Sequence, residues 1–206
     1  MKIINCLLDK NNALDINGMS LGKLIEQSGK EFLWSDRECD TIDVIVVHYI
    51  SAVDVTPADP YNVKTIMKIF CDFSVSSHFL IDRGGVIYRL VPENMKAWHC
   101  GGSRMPHPDN RTAVNNFSIG IELMATAISG FTSIQYDSLA KLALLIENKY
   151  QRKFKLVGHD MVANEAVVNE GLRKDIKVDP GQYFSWSSLL KRISSLREAN
   201  VCNSFE

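Results

Sequence analysis

Two histidines and an aspartate stand at the ends of three separate segments. His48 lies in V-V-H-Y-I-S at 46–51, His159 in V-G-H-D at 157–160 and Asp179 in K-V-D-P-G at 177–181. Neutral imidazole and carboxylate oxygen are both good zinc ligands. Catalytic zinc takes three protein ligands and keeps a fourth position open. No pair of the three falls at helical i, i+4 spacing, so the fold has to assemble them. A single histidine is more often structural or surface than a ligand. The shared placement at strand ends, where α/β sheets collect their sites, favours ligation for the set. Pro180-Gly181 forms a turn that fixes where the Asp179 carboxylate points.

A hydrolase built on zinc gains an acidified water and a polarised substrate carbonyl. It also needs a group to guide the proton. Glu122 is the candidate, because it interrupts an otherwise apolar strand, F-S-I-G-I-E-L at 117–123. Burying an unpaired carboxylate is costly, so it needs a partner or a role. The alternative is a glutamate on the solvent face of an edge strand. Lys177 lies two residues before Asp179, and on extended chain i and i+2 share a face. Its ammonium is a candidate to stabilise an oxyanion; the alternative is a solvated surface lysine.

Strands and helices must position these residues. A β-branched run at 42–47 reads as a buried central strand. Apolar residues at 63, 66, 67, 70 and 73 mark one face of a helix. Residues 79–82 and 86–91 flank Arg83-Gly84-Gly85 and read as a hairpin. The stretch 92–116, with three prolines, paired glycines and Asn110, reads as a long loop of the kind that is usually functional. Thr132 and Gln135 form a capping box for a helix bearing Leu139, Leu142, Ile146 and Tyr150. Residues 154–157 form another strand. Residues 164–174 are polar and aperiodic and read as an irregular loop. Ser185 caps a last helix whose inward stripe is Trp186, Leu189, Leu190, Ile193 and Leu196. Residues 20–34 read as a helix with Leu21, Leu24, Ile25 and Phe32 inward. Alternating strands and helices predict an α/β domain with a central mixed sheet.

Bulk properties narrow the class. The 206 residues suffice for one sizeable core, and a net charge of −1 gives no electrostatic case for nucleic acid or an anionic membrane. No apolar run reaches membrane-spanning length, and the first residues lack the pattern of a signal peptide. These features predict a cytoplasmic setting. Cys6, Cys39, Cys71, Cys100 and Cys202 are odd in number and irregular in spacing, which argues against a disulfide framework. His99 and Cys100 are neighbours. Adjacent side chains on extended chain point apart, so a Cys–His nucleophilic pair is not expected there.

The chain resembles the zinc-dependent type-2 N-acetylmuramoyl-L-alanine amidases, which share a fold with peptidoglycan recognition proteins and small phage amidases. The matching pieces run in order: V-V-H-Y-I-S-A at 46–52, S-S-H-F-L-I-D-R-G-G-V-I-Y-R-L-V-P at 76–92, A-W-H-C-G at 97–101, N-F-S-I-G-I-E-L at 116–123, V-G-H-D at 157–160 and K-V-D-P-G at 177–181. The resemblance implies one zinc ion per chain held by His48, His159 and Asp179. It implies Glu122 as catalytic carboxylate and Lys177 as transition-state stabiliser, and it places Trp98 and His99 beside the substrate groove. His78 matches a position that supports the core, and His107 reads as surface. Tyr49, Ser77, Met124-Ala125 and the long stretch 161–176 depart from the common pattern and leave the sugar and stem-peptide preference open. The implied organisation is an N-terminal extension at 1–40, an amidase domain at 41–200 and a tail at 201–206. The implied substrate is a peptidoglycan fragment or muropeptide, met in cytoplasmic recycling or, alternatively, as a phage or prophage lysin. A non-catalytic peptidoglycan-binding module and a zinc peptidase acting on the stem peptide are the competing functions; H-E-x-x-H, the mark of one large peptidase class, is absent.

Overall fold

The computed structural model describes residues 1–54 and 59–202. Its centre is a six-stranded sheet of β1 (Ile3–Asn5), β5 (Val44–Tyr49), β6 (Phe79–Ile81), β7 (Ile87–Arg89), β9 (Ser118–Leu123) and β10 (Lys155–Gly158). The strand order is β1-β7-β6-β9-β5-β10. Only β6 and β7 pair antiparallel, so the sheet is mixed, as expected. Small ribbons pair β2 (Asp15–Ile16) with β3 (Met19–Ser20) and β4 (Trp34–Ser35) with β8 (Lys96–Ala97). The helices are α1 (Leu21–Gln27), α2 (Val63–Asp72), α3 (Ser133–Tyr150), α4 (His159–Val162), α5 (Glu165–Asn169) and α6 (Trp186–Cys202).

Strand alternation divides the chemistry from the core. Ile45 and Val47 of β5, with Ile119, Ile121 and Leu123 of β9, point to one face and pack against Leu139 and Leu142 of α3 and Leu189 and Ile193 of α6. The opposite face carries Val44 and Val46, then His48, and from β9 it carries Ser118, Gly120 and Glu122. The register sets His48 directly beside Glu122 and Glu122 beside Leu80. That face is covered in part by α1 and α2, through Leu21, Ile25, Ile66, Met67 and Phe70. Elsewhere Met105, Val114 and Phe117 lie over Val44, Val46 and Val157.

Local signals account for the helix starts. Asn62 accepts from the backbone of Lys64 and Thr65 at the start of α2. Thr132 and Gln135 form the expected capping box of α3. The Gln135 amide also donates to the carbonyls of Ile81 and Met124, fastening α3 to the sheet. Gly85 turns the hairpin at φ +79°, where a Cβ would strike Ile134 and Ser138. Ser185 accepts from the backbone of Ser188 as the cap of α6.

Several expectations need correction. The helix expected over 20–34 stops at Gln27, and Phe32 is exposed, stacked on Trp34. Residues 164–174 contain α5, capped by Asn164 and anchored by buried Val167. The stretch 92–116 is less open than a bare loop: it contributes β8 and a 3₁₀ turn at Val114–Asn116 and buries Met105 and Val114. Arg111 bridges Asp43 and Asp109, and Lys155 also pairs with Asp109, tying that stretch to the sheet. The Arg111 hydrogen bonds hold the Asp109 carboxyl below the usual range.

Residues 1–40 supply β1 to the sheet edge, and α1 packs on α2. Arg37 donates to the carbonyls of Glu93, Asn115, Asn116 and Ser118. Of the expected tail, residues 203–206 lie outside the described residues. Among the described residues, no helix is long and apolar enough to cross a membrane.

Leu190 was expected inward with Leu189, yet it is 50% exposed while Leu189 is 0% exposed. Leu189→Ala should therefore cost about 2–5 kcal/mol in urea unfolding. Leu190→Ala should stay within about 0.5 kcal/mol. Equal losses would mean that α6 presents a different face to the sheet.

Candidate active site

His48 ends the apolar run of β5, and His159 opens α4 directly after β10, so parallel pairing of β5 with β10 delivers both rings to one sheet end. Asp179 arrives from the segment after α5, held by its carbonyl accepting from the Asp160 N–H at 2.8 Å. Gly158 is required at this junction, since a Cβ there would sit 2.2 Å from Asp160 Oδ1 and 2.7 Å from Pro180 Cδ.

The three side chains converge. His48 Nδ1 lies 3.1 Å from His159 Nδ1 and 3.0 Å from Asp179 Oδ2, and His159 Nδ1 lies 3.2 Å from the same oxygen. All three residues are buried, and Asp179 Oδ1 has no partner among the described residues. Two imidazole nitrogens and a carboxylate oxygen at such separations repel unless a proton or a cation lies between them. Burial pushes the Asp179 carboxyl up, but the hydrogen bonds and charges of His159 and His48 outweigh it and hold it below the usual range. A tetrahedral ion with ligand distances of about 2.0–2.1 Å needs donor atoms about 3.3 Å apart. The donor set and its spacing therefore fit a zinc-sized cation.

The outer ring nitrogens are held as well. His48 Nε2 lies 3.0 Å from His99 Nδ1, and His99 Nε2 lies 3.2 Å from Ser118 Oγ. His159 Nε2 lies 3.4 Å from the Cys100 carbonyl. For both Nδ1 atoms to ligate a cation, each Nε2–H must donate outward, and these partners suit that tautomer and ring orientation. Burial, then His48 and His78, lower the His99 pKa and keep its ring neutral. His78 also stays neutral, its Nδ1 accepting from the Gly120 N–H.

Glu122 is 8% exposed, and its Oε2 has no partner among the described residues. Burial pushes its carboxyl up to about 7, with His48 acting downward, Asp179 upward and Lys177 downward. This overturns the solvent-face alternative. Lys177 and Asp179 line the same cleft, so the i, i+2 relation holds. The cleft opens to solvent and has one apolar wall of Ile69, Phe70, Phe73, Val75 and Trp98. Trp98 is half-buried, and its indole donates to Ser35 at 3.2 Å. His99 lines the cleft too, but both its ring nitrogens are engaged inside the protein. His107 is exposed.

Sequence reasoning missed three features. The apolar wall from α2 onward, with Phe73 56% and Val75 38% exposed, was read only as a helix face. Gly120 carried a readable signal, because a glycine inside a strand marks close approach of another group. That group is the His99 ring. Third, His99 and Cys100 do not point apart. The chain bends at 99–100 and Gly101 takes φ +57°, so Cys100 Sγ lies 3.0 Å from His99 Nδ1. Burial nonetheless pushes the Cys100 thiol far above its ordinary range, which makes it a poor nucleophile.

Comparison with known proteins gives a consistent picture. Residues 38–182 match the family described as N-acetylmuramoyl-L-alanine amidase. The chain is 34% identical over 169 residues to the 1,6-anhydro-N-acetylmuramyl-L-alanine amidase AmpD of Haemophilus influenzae, covering 74% of this chain and 83% of that one. A crystal structure of a selenomethionine derivative of AmpD superposes with a TM-score of 0.61 at 28% identity, covering 78% of this chain and 89% of that one. The amidase AmiD of Escherichia coli, in complex with the substrate anhydro-N-acetylmuramic acid-L-Ala-D-gamma-Glu-L-Lys, superposes with a TM-score of 0.57 at 27% identity, covering 76% of this chain and 60% of that one. A mixed sheet between helices is thus the fold of these amidases, as the resemblance implied.

A Cβ at Gly120 would lie 2.6–2.8 Å from three atoms of the His99 ring. Gly120→Ala should therefore destabilise the fold by about 1–3 kcal/mol, the range for overpacking. The loss should shrink in a His99→Ala background, because the two sites are coupled through that contact. Strictly additive losses in urea unfolding would remove the contact as the cause.

Proposed function

The chain belongs to the N-acetylmuramoyl-L-alanine amidase family, and on that premise we propose that it is a zinc enzyme that cleaves anhydro-muramoyl peptides. The bond cut joins the lactyl group of the sugar to L-alanine. One zinc ion per chain would be held by His48, His159 and Asp179. The observation that carries this reading is the 3.0–3.2 Å spacing of two Nδ1 atoms and one carboxylate oxygen. The anhydro sugar appears in the names of the AmpD relative and of the compound bound to AmiD. The apolar wall offers a flat face for such a sugar, with Trp98, Phe70 and Phe73 as its aromatic members. The complete donor set, with Glu122 at its edge, supports catalysis over mere binding.

Zinc, when bound, would polarise the scissile carbonyl and acidify a water molecule. The chain's own groups supply the rest. Glu122 takes a proton from the attacking water and returns it to the leaving amine of L-alanine. A carboxyl poised at about 7 can do both near neutral pH. The Lys177 ammonium has no hydrogen-bond or ion-pair partner among the described residues, which leaves it available to a developing oxyanion. His99 keeps His48 in its ligating tautomer. Cys6, Cys39, Cys71 and Cys100 are free thiols, which supports a reducing compartment and action on recycled fragments.

Incubation with an anhydro-muramoyl tripeptide should release the anhydro sugar acid and a peptide with a free L-alanine amine, both identified by mass. A chelator should abolish release and added zinc restore it. A cut inside the stem peptide, or cleavage indifferent to chelation, would sink the reading.

Glu122→Gln should keep zinc and lose about 10²–10⁴ in kcat; loss of zinc with activity would make Glu122 a ligand instead. Lys177→Ala should keep zinc and stability and lose about two to three orders in kcat. Lys177→Arg should recover little, since a planar fork does not replace a compact ammonium. A change under about twofold would return Lys177 to the solvated surface.

A further inference from the structure

The floor of the site holds a second cluster of metal-ligating atoms. His48 turns Nδ1 toward Asp179 and His159, and its other nitrogen faces away from them, toward His99 Nδ1 at 3.0 Å. Cys100 Sγ lies 3.0 Å from that same His99 nitrogen. The ligand atoms of His48, His99 and Cys100 fall within 4.8 Å of one another, and all three residues are buried. His99 Nδ1 has one in-plane lone pair, yet both the His48 Nε2–H and the Cys100 thiol are aimed at it. One of the two donors is therefore left poorly satisfied, and in a buried setting such groups are costly. A cation would resolve the conflict by accepting from all three atoms.

We infer that His48 Nε2, His99 Nδ1 and Cys100 Sγ form a second metal site, selective for a soft thiophilic ion such as cadmium or zinc in excess. Two imidazoles and a thiolate are a soft donor set, unlike the two imidazoles and carboxylate beside it. On binding, the Cys100 thiol proton and the His48 Nε2 proton pass to solvent, and the His48 ring bridges the two ions. His99 Nδ1 is bare in the tautomer whose Nε2–H donates to Ser118 Oγ, 3.2 Å away. His48 and His99 line the cleft, while Cys100 lies behind them. Occupancy replaces the His99 hydrogen bond on His48 with a second cation drawing on the same ring, so the second ion inhibits.

The test adds cadmium to protein already loaded with one zinc. The expected result is one further ion bound, zinc retained, and a thiolate-to-cadmium charge-transfer absorption. The absorption should vanish in Cys100→Ser and in Cys100→Ala, the second variant serving if the first folds poorly in its apolar surroundings. It should persist in His159→Ala, where the first donor set is incomplete, so failure of the zinc assignment and failure of this one are told apart. Hydrolysis by the wild type should fall about 10- to 100-fold at saturation, the range for loss of an orienting partner, with Cys100→Ser insensitive. Absence of the absorption, its persistence in both Cys100 variants, or exchange of zinc for cadmium without it would overturn the proposal.

Discussion

Three lone-pair donors aimed at one another at 3.0–3.2 Å cannot rest together in a buried setting without a proton or a cation between them. The sheet enforces that convergence. Parallel pairing of β5 with β10 brings two chain segments that are 111 residues apart to the same strand end. The Asp160 N–H holds the backbone of Asp179 in place as the third member. Side-chain alternation then assigns one face of β5 and β9 to aliphatic packing against α3 and α6 and leaves the other face free for His48 and Glu122. The same strands therefore carry both the core and the chemistry.

Burial acts differently on each group around that centre. It drives the Glu122 carboxyl up to about 7, toward the neutral form. On Asp179 it is overcome by two imidazoles. It keeps the His99 ring neutral and the Cys100 thiol protonated. Two carboxylates so close in space thus have opposite tendencies: one stays ionised to bind a cation, and the other is poised to exchange a proton. Environments that push paired titratable groups apart in this way are the mark of acid–base assignment in hydrolases. The proposed roles of Asp179 and Glu122 follow from that contrast rather than from residue type, which is nearly the same for both.

Much of the site was legible because its members punctuate simple patterns. His48 ends a β-branched run, Glu122 breaks an apolar strand, and Asp179 precedes Pro-Gly, each visible without a structure. Thr132 with Gln135 announced the start of α3. What stayed hidden depends on pairing and on local bends. Strand register, which sets Glu122 beside His48, is a long-range property that no window of sequence carries. The contact between His99 and Cys100 needs a departure from extended backbone that was not anticipated. Helix α5 is five residues long, too short for periodicity to reveal, and only its Asn164 cap gave a cue. Leu190 satisfies the spacing of an inward stripe, but α6 packs on α3 with Leu189 inward and leaves Leu190 in solvent.

The most direct test is the position of the ion itself. Crystals of zinc-loaded protein, with diffraction recorded on both sides of the zinc absorption edge, locate it without assumption. The account predicts one strong anomalous peak within about 2.0–2.2 Å of His48 Nδ1, His159 Nδ1 and Asp179 Oδ2, with at least one coordination position facing the cleft. A peak held by other side chains, or zinc at full occupancy without contact to His159 or Asp179, would contradict it.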